Sequence, residues 1–181
     1  MMYQGEHGTA SSVTVVETER LVLRQFTTDD AAFILGLLNE PSFLRFIGDK
    51  GVRTLDDARG YLLKGPIDSY ARNGFGLCLV SLKEDATPIG ICGLVKRDAL
   101  EHPDIGFAFL PRYWSKGYAL EAASAVLGHG HGVLKLGRIL AITQTDNGSS
   151  IRLLQRLGLT HRGIMRMPPD EHEMSLFALE A

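Results

Sequence analysis

Residues 104–122 read Asp104-Ile-Gly-Phe-Ala-Phe-Leu-Pro-Arg-Tyr-Trp-Ser-Lys-Gly-Tyr-Ala-Leu-Glu-Ala122. A short apolar strand runs into a loop, and the loop opens a helix at Gly117. A helix start leaves its first backbone N–H groups without intrahelical acceptors and carries the positive end of the helix dipole. Such a loop aims several N–H groups at one point, where a phosphate or other anion binds. A second polar cluster, Asn147-Gly-Ser-Ser150, follows about one helix and one strand later. Together the two clusters imply a phosphorylated cofactor held beside a sheet, with chemistry near the sheet's middle.

The surrounding pattern supplies elements to position them. Residues 13–26 alternate as one strand, with Leu21 and Leu23 on one face and Arg20, Val22 and Arg24 on the other. Thr27-Thr28-Asp29-Asp30 offers N-cap chemistry for a helix through Leu38. Pro41 and Gly48 bound an irregular, partly aromatic stretch with Phe43 and Phe46. Thr54-Leu-Asp-Asp57 starts a helix to about Asn73, which Pro66 kinks or splits. Residues 75–83 and 88–96 read as a hairpin, and residues 103–110 as the strand that carries Asp104. Residues 117–133 keep helical spacing through Ala119, Leu120, Ala123, Val126 and Leu127. A strand over 136–143, a helix over 149–157 stopped by Gly158, and strands over 159–165 and 173–179 complete the chain. The order is βααβββ, then αβ, then αββ. It predicts an α/β (α+β) fold: a mixed sheet with helices on both faces.

Bulk composition narrows the class. The 181 residues are 45% hydrophobic and 22% charged, which fits one domain with a substantial core, taken as residues 13–181. Residues 1–12 are polar, lack the apolar segment of a signal peptide, and read as a flexible leader. Net charge is −2 and no basic block is long, so no direct nucleic-acid partner is expected. No stretch approaches the ~20 apolar residues that span a bilayer, so no membrane partner is expected either. A soluble, cytoplasmic protein is the reading. Cys78 and Cys92 lie in apolar runs and read as buried thiols; a disulfide would require neighbouring strands. Among the six histidines, His129 and His131 are two apart and do not share a helix face, and His7, His102, His161 and His172 are isolated. No metal site is expected.

These clusters, in this order, resemble the GNAT superfamily of acyl-CoA N-acyltransferases, and more closely its branch of ribosomal-protein N-terminal acetyltransferases (RimJ/RimL-like). The superfamily's pyrophosphate loop, Gln/Arg-x-x-Gly-x-Gly/Ala, is matched by Trp114-Ser-Lys-Gly117-Tyr-Ala119. Trp at its first position is usual in the branch, where Gly is common in place of Ser115. Ala141, Asn147, Ser150 and Leu157-Gly158-Leu159 match the downstream signature. Glu17-Thr-Glu-Arg-Leu-Val-Leu-Arg24 looks like the branch's opening strand, and Pro88-Ile-Gly-Ile-Cys-Gly-Leu94 like its central hairpin strand. The resemblance covers about residues 15–180.

The resemblance implies a mixed, mostly antiparallel sheet of about seven strands, splayed at a cofactor cleft. It implies acetyl transfer from acetyl-CoA to a primary amine, without a metal. The backbone of Phe109 and Leu110 would pair with the pantetheine arm as an extra strand. The amides of Ser115, Lys116, Gly117, Tyr118 and Ala119 would cradle the pyrophosphate. Asn147 would orient the pantetheine or cap a helix, and Glu121 would serve the helix dipole as a structural residue. The amine must be neutral to attack. At pH 7 an α-amino group with pKa ~8 is about a tenth neutral, and a lysine near ~10.4 under about a thousandth.

A carboxylate acting through water can take the ammonium proton. Asp104 is placed for this by the resemblance, against the alternative of a strand-edge carboxylate in solvent; Glu101 is the fallback. The Tyr that many superfamily members use to protonate the departing thiolate is missing from Ile151-Arg-Leu-Leu-Gln155. Ser150 takes its place by donating to the CoA sulfur, or else serves as a helix N-cap or a structural, cofactor-binding contact to CoA.

Three alternatives stay open. The acceptor is a protein N-terminal amine, or a small amine such as a polyamine, amino acid or aminoglycoside. Residues 41–51 and the last hairpin, with Glu171-His-Glu173, would line its site. Failing catalysis, the chain is an acyl-CoA-binding module. A homodimer is implied by family habit. A dinucleotide-binding oxidoreductase fits poorly, for no Gly-x-Gly-x-x-Gly opens the first helix.

Overall fold

The computed structural model describes residues 12–181, so the expected leader lies almost wholly outside the described residues. The N-terminal alternation is not one strand. It folds into β1 (Thr14–Glu17) and β2 (Leu21–Gln25), an antiparallel hairpin. Its turn closes because Thr18 donates its N–H to the carbonyl of Leu21 at 2.9 Å and its Oγ1 accepts from the N–H of Leu21 at 3.0 Å. Among the described residues the sheet therefore has eight strands, against the seven or so expected.

A 3-10 turn (Thr28–Asp30) leads into α1 (Ala31–Leu38), and Thr27 and Asp30 form a capping box at its start. The Asp30 carboxylate also receives both Nη groups of Arg24 at 2.9 and 2.8 Å, which ties the helix to β2. The stretch expected to be irregular is helical: α2 (Pro41–Phe46) begins on a proline, whose missing N–H costs nothing at a helix start. The long helix expected to Asn73 is α3 (Leu55–Leu62), a π-helical turn around Pro66 (Leu63–Ile67), and α4 (Asp68–Asn73). The wider turn accommodates a residue that cannot donate to the helix ladder.

β3 (Leu77–Leu82) and β4 (Pro88–Val95) form the expected hairpin, and β5 (Asp104–Phe109) adds antiparallel to β4. The long α5 (Tyr118–Gly132) follows, then β6 (Arg138–Gln144), α6 (Gly148–Arg156), β7 (Thr160–Met167) and β8 (His172–Glu180). The sheet order is β1-β2-β3-β4-β5-β6-β8-β7. Every neighbouring pair is antiparallel except β5 and β6, which run parallel and share the single register pair Asp104–Leu140. Beyond that pair the two strands diverge, and a cleft opens between them.

One face of the sheet packs α5, the other α1 to α3. Cys78, Val80, Ile105 and Phe109 belong to the first core; Leu79 and Leu110 belong to the second with Ile34, Leu37 and Leu62. Burying each of these leucines and isoleucines contributes roughly 1.5–3 kcal/mol. The backbone runs close to its neighbour at Gly93, where a Cβ would meet the carbonyl oxygen of Gly76 at 2.4 Å. Cys78 and Cys92 are register partners on neighbouring strands, both free and buried. Burial pushes the Cys78 thiol up to about 12.

No helix among the described residues is long and apolar enough to cross a membrane, and no group of three His, Cys, Asp or Glu among them could hold a metal ion.

Candidate active site

The diverging strands border a cleft of about 670 Å³, walled by β5, the start of α5, β6, the start of α6 and the α2 region. Asp104, Phe109, Ser115, Gly117, Tyr118, Ala119, Asn147 and Ser150 all line it. Leu110 and Lys116 do not. Leu110 is 6% exposed within the α1–α3 core and gives its N–H to the carbonyl of Ile89 at 2.9 Å. Since backbone groups alternate sides along a strand, residues 107 and 109 turn theirs toward the gap. Phe107, which sequence reasoning passed over, therefore offers what was expected of Leu110. The Phe109 carbonyl already accepts from Trp114 Nε1 at 2.8 Å, a bond that pins the loop onto β5.

That loop takes its shape from two left-handed residues, Ser115 at φ 61° and Gly117 at φ 83°. They turn the chain so that α5 starts without a side-chain cap: Gly117 occupies the N-cap position and carries none. The first N–H groups of a 15-residue helix therefore open into the cleft with the dipole's positive end behind them. Arg20 braces the loop from outside. Its Nη1 donates to the carbonyl of Lys116 at 3.0 Å, its Nε to Glu121 Oε1 at 2.8 Å, and its guanidinium lies 4.4 Å over the Tyr118 ring. Glu121 is thus a structural anchor as well as a first-turn anion. Arg20 had no signal in the sequence, because its partners lie about a hundred positions away.

At the second cluster, Asn147 is the cap of α6: its Oδ1 accepts from the N–H of Ser150 at 3.2 Å. Ser150 is not the cap, which corrects that alternative, and its hydroxyl is left to the cleft.

Asp104 sits where β5 and β6 meet, at the closed end of the cleft. It is 1% exposed, so the alternative of a carboxylate in solvent does not hold. Its Oδ1 accepts from Arg97 Nε at 3.0 Å. Burial raises its pKa above the usual carboxylate range, against the opposing pull of Arg97 and Lys96. A buried carboxylate with a raised pKa is suited to accept a proton near neutral pH. Glu101 is exposed in the preceding loop and does not line the cleft. Of the stretches expected to line the acceptor site, Ser42, Phe43, Phe46, Ile47 and Lys50 line the cleft, as do Arg97 and Met174, whereas Glu171 in the last turn and His172 and Glu173 at the start of β8 are exposed and do not.

Known proteins share this architecture. The acetyltransferase (GNAT) domain family matches residues 20–160. The uncharacterized N-acetyltransferase YoaA of Bacillus subtilis (strain 168) is 30% identical over 154 residues, covering 84% of this chain and 86% of that protein. The acetyltransferase (GNAT family) from Bacillus anthracis superposes with a TM-score of 0.75 at 26% identity, covering 94% of this chain and 98% of that one. RimL, a ribosomal alpha-N-protein acetyltransferase solved in complex with coenzyme A, superposes with a TM-score of 0.79 at 16% identity, over 94% and 98%.

Proposed function

The chain belongs to the GNAT acetyltransferase family and is an N-acetyltransferase; on that premise we propose that it acetylates a protein N-terminal α-amine with acetyl-CoA as donor. The observation that carries this reading is one cleft with an uncapped helix start at one end and a buried carboxylate at the other, joined by a free strand edge. The donor fits these residues. The amides of Ser115 and Gly117 to Ala119 hold its pyrophosphate, and the backbone of Phe107 and Phe109 pairs with its amide arm. The donor supplies an acetyl thioester.

Asp104 receives the proton of the incoming ammonium, directly or through a water, and leaves a neutral amine. Arg97 holds the Asp104 carboxylate in one orientation. Ser150 Oγ is the hydroxyl available to relay a proton to the departing thiolate, taking in return the one that the nitrogen sheds as the amide forms. An α-amine demands little of this base, since its own pKa lies near ~8. The relationship to RimL supports the choice of acceptor through fold alone.

The test is thiol release from acetyl-CoA against N-terminal peptides, polyamines and aminoglycosides. Release with peptides, abolished by N-terminal blocking, is expected. Release with small polyamines only would overturn the acceptor assignment.

A further inference from the structure

The acceptor end of the cleft holds more positive charge than its one carboxylate neutralises. Arg97 gives only its Nε to Asp104; its two Nη groups make no hydrogen bond with any described residue. Lys50 lines the same cleft, close enough to Arg97 to feel its charge, and pairs with no described carboxylate. Two acids in neighbouring loops are already engaged: Asp49, after α2, with Arg53, and Asp146, before α6, with Arg45.

A guanidinium with a free pair of Nη groups takes a carboxylate in fork geometry, and an ammonium beside it adds charge without demanding direction. This site is separate from the phosphate-binding end. Asp104 and Phe109 are five steps apart on β5, about 17 Å along an extended strand. The same guanidinium touches Asp104, where the acceptor ammonium must go. An anion on its Nη groups therefore lies within a residue or so of the reacting amine.

Resting on the acetyl-transfer reading, we propose that the acceptor is a peptide N-terminus whose first or second residue is acidic, with Arg97 and Lys50 gripping that side chain. Polyamines and aminoglycosides are disfavoured by the same pair, because their second cation would stand against Lys50 and Arg97.

The experiment measures kcat/KM for peptides that begin Asp-Ala, Ala-Asp and Ala-Ala, for free aspartate, and for spermidine, with the wild type and Lys50→Glu. Wild type is expected to favour the acidic peptides over Ala-Ala by about tenfold or more, and Lys50→Glu to collapse or invert that ratio, mainly through KM. Equal use of acidic and neutral peptides, or a ratio unmoved by Lys50→Glu, overturns the proposal. Free aspartate used as well as the peptides makes the recognised group an amino acid and overturns the peptide assignment.

If no amine is turned over, the acceptor reading fails, and a binding arm still decides this one. With protein saturated with coenzyme A, calorimetry compares N-acetyl-Asp-Ala-Ala with N-acetyl-Ala-Ala-Ala. Tighter binding of the acidic peptide, lost in Lys50→Glu, supports the anion site. Equal binding overturns it.

Discussion

Arg97 Nε lies 3.0 Å from Asp104 Oδ1, yet the burial of Asp104 outweighs that partner and leaves the carboxyl harder to ionise than usual. In the unfolded chain its pKa is the ordinary ~3.9. Between that value and the raised folded value, the native protein holds a proton the unfolded chain has released. Stability from this group is therefore lost as pH rises through that window, and the whole penalty stands above the raised folded value. Asp104→Asn removes the penalty and the proposed base together. Thiol release is expected to fall roughly 10²–10⁴-fold, while the Tm at pH 7 matches or exceeds the wild type. The Tm gap should close as pH is lowered through the carboxylate range. A variant that melts lower at pH 7 would show that the Arg97 pair, not burial, dominates.

With Asp104 as the proposed base, the same pair should set the acid limb of the rate profile. Arg97 is the main group that lowers the Asp104 pKa against burial. Arg97→Met should therefore move the acid limb of kcat/KM to higher pH, and Arg97→Lys should restore part of the shift by returning the charge without the fork. A limb that stays in place in Arg97→Met would mean that another group is the base.

Ser115 holds a left-handed conformation at φ 61°, which costs a residue with a Cβ about 1–2 kcal/mol. Ser115→Gly relieves that strain but makes the unfolded chain freer, a loss of roughly 0.5–1 kcal/mol. The Tm should hold or rise by a few degrees, with acetyl-CoA affinity kept. A β-branched residue tolerates this conformation poorly, so Ser115→Val should lower the Tm and weaken acetyl-CoA binding. Wild-type affinity in Ser115→Val would mean that this backbone geometry does not present the amides.

The loop proposed to hold the pyrophosphate was legible as a loop-to-helix turn because glycine marks it. Gly117 and Gly158 both sit at positive φ, at one helix start and one helix end. Asn147 likewise announces the α6 cap. The β1–β2 hairpin was hidden because Thr18-Glu-Arg20 contains no turn residue, and the apolar alternation runs on through it. α2 was hidden because its first residue, Pro41, reads as a breaker when the helix start is unknown. Nothing in the spacing of Lys50, Arg97 and Asp104 brings them together; the fold does so by hanging separate loops over the closed end of the cleft. Their number in the chain carries no period, so only the assembled sheet reveals the charge around the carboxylate.

Glu121 tests whether the first hairpin controls the phosphate loop. It accepts from Thr18 Oγ1 at 2.6 Å, from the N–H of Arg20 at 3.0 Å and from Arg20 Nε at 2.8 Å, while Arg20 Nη1 holds the carbonyl of Lys116. The carboxylate is mostly shielded, and the guanidinium is 42% exposed, so screening leaves the pair a modest role in overall stability. Its leverage is on position: without it the loop amides lose their outer brace. In their proposed role those amides hold the donor alike before and during reaction, so their loss should act as uniform binding. Glu121→Ala is expected to raise KM for acetyl-CoA about tenfold, with kcat changed by no more than about threefold. Arg20→Ala should do the same. The double variant should be little worse than either single one, because both remove one brace. Losses that multiply would instead mean that Arg20 and Glu121 act on the donor separately.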